Sequence, residues 1–362
     1  MWGATADHVT TWNVPIIPVC RRLVWTKSSM RFDRSKINKI LVISLSNIGD
    51  VILTLPVMDI LLKDFPRAKF SVVVGPKART LFKGNPLISC VHVFDKSQSL
   101  GKTIPWVAGL AAEHFDLVVD LRNTAIPFLI FPRYRTPSTV KADKNGGVHM
   151  KYKHLQRLRC VYPYDVESWK RYALAVPAED EARVRGLLRA AWGADYAYIV
   201  AAPGAANEAK RWTSPGFIEV CHQMIKRYQL KVVLAGDAAD HQDAEGMVKV
   251  LRTDALNLCG RTTLVQLAAV VEKAVLALVN DSAPMHLASY LDVPVLALFG
   301  PSDVHKYGPW GMQGHYLQKN KDCPACQNPK NSARHHCMAA ITAQEVLNAF
   351  QVLQGHVVFN IP

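Results

Sequence analysis

No run of apolar residues approaches the ~18 needed to cross a bilayer. The longest, such as residues 274–279, are strand-length. Cysteine is sparse: eight in 362 residues, with no regular framework, and a chain of this length can bury a core without staples. A reducing, cytosolic compartment is therefore expected. The charged share is 20% against 49% hydrophobic, which excludes a disordered, self-repelling chain. Residues 1–29 lack a secretory pattern. Their apolar stretch is short and broken by Pro15 and Pro18, and Arg21 and Arg22 follow it instead of preceding it. They are read as an extension of uncertain order.

Acidic residues are scarce in one half. Lys and Arg number 43 and Asp and Glu 29, giving +14. Residues 1–195 hold 29 basic and 16 acidic side chains, net +13, while residues 196–362 hold 14 and 13, net +1. A cationic half suits an anionic partner such as a nucleic acid, an acidic membrane surface or a phosphorylated substrate. A merely solubilising surface has the same arithmetic.

Length alone suggests two domains at ~150 residues each. Continuous apolar runs at 39–44, 70–75, 91–94 and 115–121 read as buried parallel strands. A helix is expected over 51–65, ended by Pro66, and a short one over 80–84. Residues 133–170, rich in Lys, Arg, Tyr and His, read as loops and basic helices. A second alternating unit starts near Tyr196, with strands at 198–202, 230–236, 274–279 and 294–300. Its helices are expected at 217–228, 264–271, 285–291 and 342–353, the last opened by the capping pair Thr342 and Glu345. The fold class is α/β, and the linker is placed near residues 177–195. In open parallel sheets ligands sit outside the carboxyl ends of the strands.

Three short constellations carry chemistry. Ser46-Asn47-Ile48-Gly49-Asp50 follows the first strand. Gly49 permits a tight turn. Asp50 is either a helix N-cap or a carboxylate placed to take a proton from a hydroxyl. Pro203-Gly204-Ala205 with Lys210-Arg211-Trp212 offers backbone N–H groups and two cations to a diphosphate, or is simply a basic loop. Asn280-Asp281-Ser282-Ala283-Pro284-Met285-His286 opens a helix with small residues, an anion site in form. Asp281 or Ser282 equally suits a cap, and His286 a packed core position.

Taken in order, these blocks resemble glycosyltransferase family 9, the heptosyltransferases of lipopolysaccharide core synthesis. The resemblance runs over residues 38–75 and 196–312, from Ile43 to Pro56, through the two later blocks, to Leu298-Phe299-Gly300-Pro301-Ser302-Asp303 and Pro309-Trp310-Gly311. It implies a GT-B fold, two Rossmann-like domains with parallel sheets facing a central cleft. The acceptor domain would span 30–193 and the nucleotide-sugar domain 194–362, with the last helix packing back on the first. The resemblance implies Asp50 as catalytic base, with Asn47 and Gly49 on the acceptor side. For the donor it implies Gly204, Lys210, Arg211, Thr262, Asp281, Ser282, Ala283 and His286. Ala283 stands where many members carry Gly. The acidic loop of Asp237, Asp240 and Asp243 does not align cleanly and receives no role.

The implied chemistry is inverting, metal-independent transfer of heptose from ADP-heptose to an anionic, lipid-linked core saccharide. No cofactor and no nucleic acid are expected. The implied place is the cytoplasm, with peripheral contact at the inner membrane. Two other readings stay open: a nucleotide-sugar epimerase or hydrolase on a similar scaffold, and a non-catalytic anion- or nucleic-acid-binding protein using the aromatic and basic stretch 152–164. Cys323 and Cys326 with Cys337 suggest zinc, but the spacing is irregular and one CxxC stands alone, so no metal is assigned. Asp120, at the end of the fourth strand, is the reserve candidate for the base.

Overall fold

The computed structural model describes residues 32–45, 47–138, 148–164, 170–319 and 336–356. The extension 1–29, Ser46, Cys323 and Cys326 lie outside these residues. The chain divides into two compact units at Pro177–Ala178.

The N-terminal unit is built on a parallel sheet of order β3-β2-β1-β4-β5. Its strands are β1 (Lys39–Ile43), β2 (Lys69–Val74), β3 (Cys90–Val93), β4 (Leu117–Asp120) and β5 (Tyr134–Arg135). Ile40 to Ile43 are fully buried, as expected of a strand covered on both faces. Ile43 pairs in register with Val73 on one side and Asp120 on the other. Since β2 and β3 lie on one side of β1 and β4 on the other, strand order reverses between β1 and β4. That crevice is where such a sheet binds ligands.

The single helix expected over 51–65 is two, α1 (Ile48–Ile52) and α2 (Leu55–Asp64). Pro56 lacks an N–H and crowds the carbonyl four residues back, so the helix restarts there. Thr54 fills the break, its hydroxyl 2.6 Å from both the Ser44 hydroxyl and the Val51 carbonyl. Residues 76–82 form a 3₁₀ turn where a short helix was expected at 80–84. Three further helices follow: α3 (Leu100–Ala112), α4 (Ile126–Leu129) and α5 (Met150–Arg159).

The C-terminal unit begins with α6 (Ala178–Trp192), inside the stretch expected to be a linker. The boundary at 193–194 is therefore one helix too late. Gln266 donates to the buried Asp180 carboxylate at 2.7 Å, which holds α6 against α9 (Leu264–Glu272). The parallel sheet has order β11-β10-β9-β6-β7-β8. Its strands are β6 (Tyr198–Ala202), β7 (Lys231–Leu234), β8 (Ala255–Asn257), β9 (Leu276–Asn280), β10 (Val295–Phe299) and β11 (Gly314–Gln318). Here the order reverses between β6 and β9.

The remaining helices are α7 (Ser214–Tyr228), α8 (His241–Leu251), α10 (Ala283–Leu291), α11 (Val304–Tyr307), α12 (His336–Ala339) and α13 (Ala343–His356). Thr342 and Glu345 form the expected reciprocal cap of α13. Val346, Phe350 and Leu353 of α13 are buried in the core of this same unit, with Phe350 against Tyr228 of α7.

Candidate active site

Each unit places a polar cluster at its own point of strand reversal. In the N-terminal unit β1 leads to α1, whose N-cap is Asn47, exposed and with its side chain making no capping bond. Gly49 and Asp50 follow in the first turn. Asp50 is thus not the cap. Its carboxylate lies 3.8 Å from the Arg122 guanidinium, and both side chains are about a quarter exposed. Arg122 follows β4, so the pair spans the β1/β4 crevice. Below it, His154 of α5 is buried. Burial, aided by Arg122 and Arg157 and opposed by Asp50, pushes its imidazole down to about 4. It is neutral at physiological pH.

The reserve candidate Asp120 is not free to act as a base. Its buried carboxylate accepts from the Arg122 and Thr124 amides at 2.8 and 2.6 Å and from the Thr124 hydroxyl at 3.0 Å. Two of the three tyrosines of the stretch 152–164 are enclosed. Tyr162 and Tyr164 are buried, donating to Asp64 and to the Leu155 carbonyl. Arg157 is buried and donates to the Asp120 carbonyl at 2.7 Å. Base stacking needs open aromatic faces, which Tyr162 and Tyr164 do not offer.

In the C-terminal unit, Lys210 comes from the loop after β6 and Asp281 from the end of β9. They meet at 2.7 Å, with Asp281 5% and Lys210 32% exposed. Asn280, fully buried, ties the same two loops: its amide donates to the Pro203 carbonyl at 2.7 Å and its oxygen accepts from the Trp212 amide at 3.2 Å. Trp212 is buried and anchors the loop by donating to the Ile341 carbonyl. Lys210 is therefore a partly exposed cation on a rigid mount.

Arg211, expected beside a diphosphate, is engaged by groups of the protein. It donates to the Ala205 carbonyl at 3.0 Å and pairs with Asp240 at 3.1 Å and Glu208 at 3.3 Å. Asp240 explains this. Burial pushes its carboxyl up, while the Asp237 amide and Arg211 pull it down. A carboxylate this enclosed requires a cation. Gly204 serves the same group: a Cβ there would collide with the Asp240 carboxylate. Gly204 thus makes room for a side chain of the protein, in the loop whose backbone N–H groups were expected to face a diphosphate. Asp240 received no role from the sequence, although its spacing from Asp237 is that of the reciprocal cap the two form.

Ser282 is the N-cap of α10, followed by Ala283 and by Pro284, which removes one amide donor from the first turn. His286 is buried with its ring stacked on Trp310 at 5.7 Å, a packed position. Thr262 follows β8, two strands from β6, and is half-buried. Cys337 is buried in the apolar core. Among the described residues no group of three or more His, Cys, Asp or Glu could hold a metal ion. A cavity of about 300 Å³, lined by Trp192, Tyr196, Tyr198 and Lys273, lies at the start of β6, the opposite end of the sheet from Lys210.

Two doubly wound parallel units in one chain, each with a polar cluster at its own strand reversal, make the GT-B fold. The fold is shared with a family 9 glycosyltransferase from Veillonella parvula, TM-score 0.75 at 23% identity, over 91% of this chain and 100% of that one. It is shared also with Escherichia coli ADP-heptose lps heptosyltransferase II, TM-score 0.70 at 22% identity, over 88% and 100%. The sequence profile of Glycosyltransferase family 9 (heptosyltransferase) matches residues 157–336. Lipopolysaccharide heptosyltransferase 3 of E. coli K12 is 26% identical over 287 residues, 72% of this chain and 82% of that protein. Lipopolysaccharide heptosyltransferase 2 of Salmonella typhimurium is 38% identical over 106 residues, 28% of this chain and 30% of that protein. The chain belongs to glycosyltransferase family 9.

Proposed function

We propose that the protein transfers a heptose from ADP-heptose, with inversion, to an anionic, lipid-linked lipopolysaccharide core at the cytoplasmic face of the inner membrane. The relatives named for lipopolysaccharide heptosyl transfer and for ADP-heptose support the substrate class. The observation that carries the reading is the Lys210–Asp281 pair at the β6/β9 reversal, inside the segment that matches the family profile.

Asp50 takes the proton from the acceptor hydroxyl. That oxygen forms the new bond to the anomeric carbon as the bond to the diphosphate breaks, in one displacement with inversion. Lys210, held by Asp281, meets the charge growing on the leaving diphosphate, and the amides at Ser282 and Ala283 add to it. Preorganised charge of this kind is usually the largest catalytic contribution. No metal is required for that role, because the cation is a side chain. Thr262 lies ~10 Å along the sheet from β6 and takes the nucleoside end.

The test is incubation with ADP-heptose and a lipid A acceptor bearing 3-deoxy-manno-octulosonate. The expected product gains one heptose by mass spectrometry, with the anomeric configuration inverted by NMR. Donor consumption without acceptor would instead favour an epimerase or hydrolase. Transfer from another nucleotide-sugar alone would contradict the donor assignment.

A further inference from the structure

Helix α3 breaks the rule that a surface helix turns a polar face to water. Its thirteen residues include no acid and one cation, Lys102, yet Leu110 is its one buried residue. Leu100 and Ile104 are 76% and 66% exposed, and their spacing of four puts them on one face. α3 packs on α4, where Phe128 and Leu129 are also exposed. Phe131 follows, 85% exposed and with φ +47°, a backbone conformation that bulky residues rarely adopt. The chain accepts that strain while leaving the ring in solvent. Five of the ten large exposed hydrophobic residues among the described residues lie between positions 100 and 131.

The rim of this patch is cationic. Arg135 stacks on Phe128, 3.9 Å from the ring centroid, and donates to the Pro127 carbonyl. Arg133 and Arg135 are both exposed. The whole N-terminal unit, residues 16–177, carries 26 basic and 11 acidic residues, +15, whereas residues 178–362 carry 17 of each. Apolar tips within a collar of cations fit the boundary between headgroups and acyl chains of an anionic bilayer.

We infer that α3, α4 and Phe131 form the docking surface for an anionic lipid membrane. Leu100, Ile104, Phe128, Leu129 and Phe131 enter the headgroup boundary, and Lys102, Arg133 and Arg135 meet the lipid phosphates. The inference extends the proposed function, since a lipid-linked acceptor lies in such a surface.

The test is co-sedimentation of the full chain with vesicles of phosphatidylethanolamine and phosphatidylglycerol, and with vesicles of phosphatidylcholine alone. Binding is expected to the anionic vesicles and to weaken with salt. Ile104→Ser combined with Phe131→Ser should lower partition at least about tenfold, from the apolar surface removed, with an unchanged melting temperature because both side chains are exposed. Phe131→Leu should retain most of the binding. Arg133→Gln and Arg135→Gln should each cost about fivefold. Undiminished partition of the double Ser variant, or equal binding to both vesicle types, would overturn the inference. So would a dimer that the same substitutions disperse, because the patch would then face a second copy. Transfer to a deacylated, water-soluble acceptor tests the function separately: it should survive in the double Ser variant, and its absence in the wild type would contradict the function without touching vesicle binding.

Discussion

Replacing Lys210 with Ala separates its two jobs. In the free protein Lys210 neutralises Asp281, a carboxylate only 5% exposed. With donor bound it faces a diphosphate. Loss of the diphosphate contact should cost ~1.5–3 kcal/mol, about 10- to 150-fold in the affinity for ADP. Loss of the neutralising partner should cost stability as well, ~1–3 kcal/mol for a buried charge left unpaired. The lower part of that range applies, because Lys210 is itself a third exposed and the pair is partly screened. At ~2–4 °C per kcal/mol for a unit of this size, the melting temperature should fall by a few degrees. A second variant divides the effects. Lys210→Met with Asp281→Asn leaves no charge to neutralise, so stability should return while ADP affinity stays low. Calorimetry with ADP and thermal melting read both quantities. If the double variant binds ADP like the wild type, Lys210 is only a structural partner of Asp281, and the donor site lies elsewhere.

Two further substitutions test the packing behind the clusters. Gly204→Ala should destabilise the C-terminal unit by ~1–3 kcal/mol, because the added methyl displaces the Asp240 carboxylate from Arg211; an unchanged denaturation midpoint would contradict that packing. His154 is held at about 4 by burial, below its ordinary value near 6.5. Between those values the unfolded chain binds a proton that the folded chain refuses, so stability is lost as pH falls from ~6.5 to ~4. His154→Gln should flatten that part of the stability–pH curve, and an unaltered slope would show that other groups govern it.

The central strands were legible because a parallel sheet buries both faces, so β1, β6, β9 and β10 stand out as unbroken apolar runs. α3 and α6 were not. α3 is apolar without being buried, so it has no polar face to announce a helix. α6 is the reverse: a charged segment with Asp180 and Val184 its only buried residues, and it reads as a linker until Gln266 is seen to hold it. The site divides in the same way. Asp50, Lys210 and Asp281 sit in short motifs directly after strands and could be picked out by position. Arg122, His154 and Asp240 act through neighbours distant in sequence. Arg122 reaches Asp50 because β4 lies beside β1, which the order of strands along the chain does not reveal. Arg211 and Gly204 were legible as residues, while their contacts with the buried Asp240 were not.

The most direct measurement is turnover of Asp50→Asn with saturating ADP-heptose and acceptor. The change is isosteric, and Asp50 makes no capping bond in α1; its contact with Arg122, about a quarter exposed on each side, is worth ~0–1 kcal/mol. Melting temperature and ADP affinity should therefore stay near those of the wild type. Asn cannot accept the proton of the acceptor hydroxyl, so turnover should fall by ~10²–10⁴. A folded, ADP-binding variant that transfers heptose at the wild-type rate would contradict the assignment of Asp50 as the base.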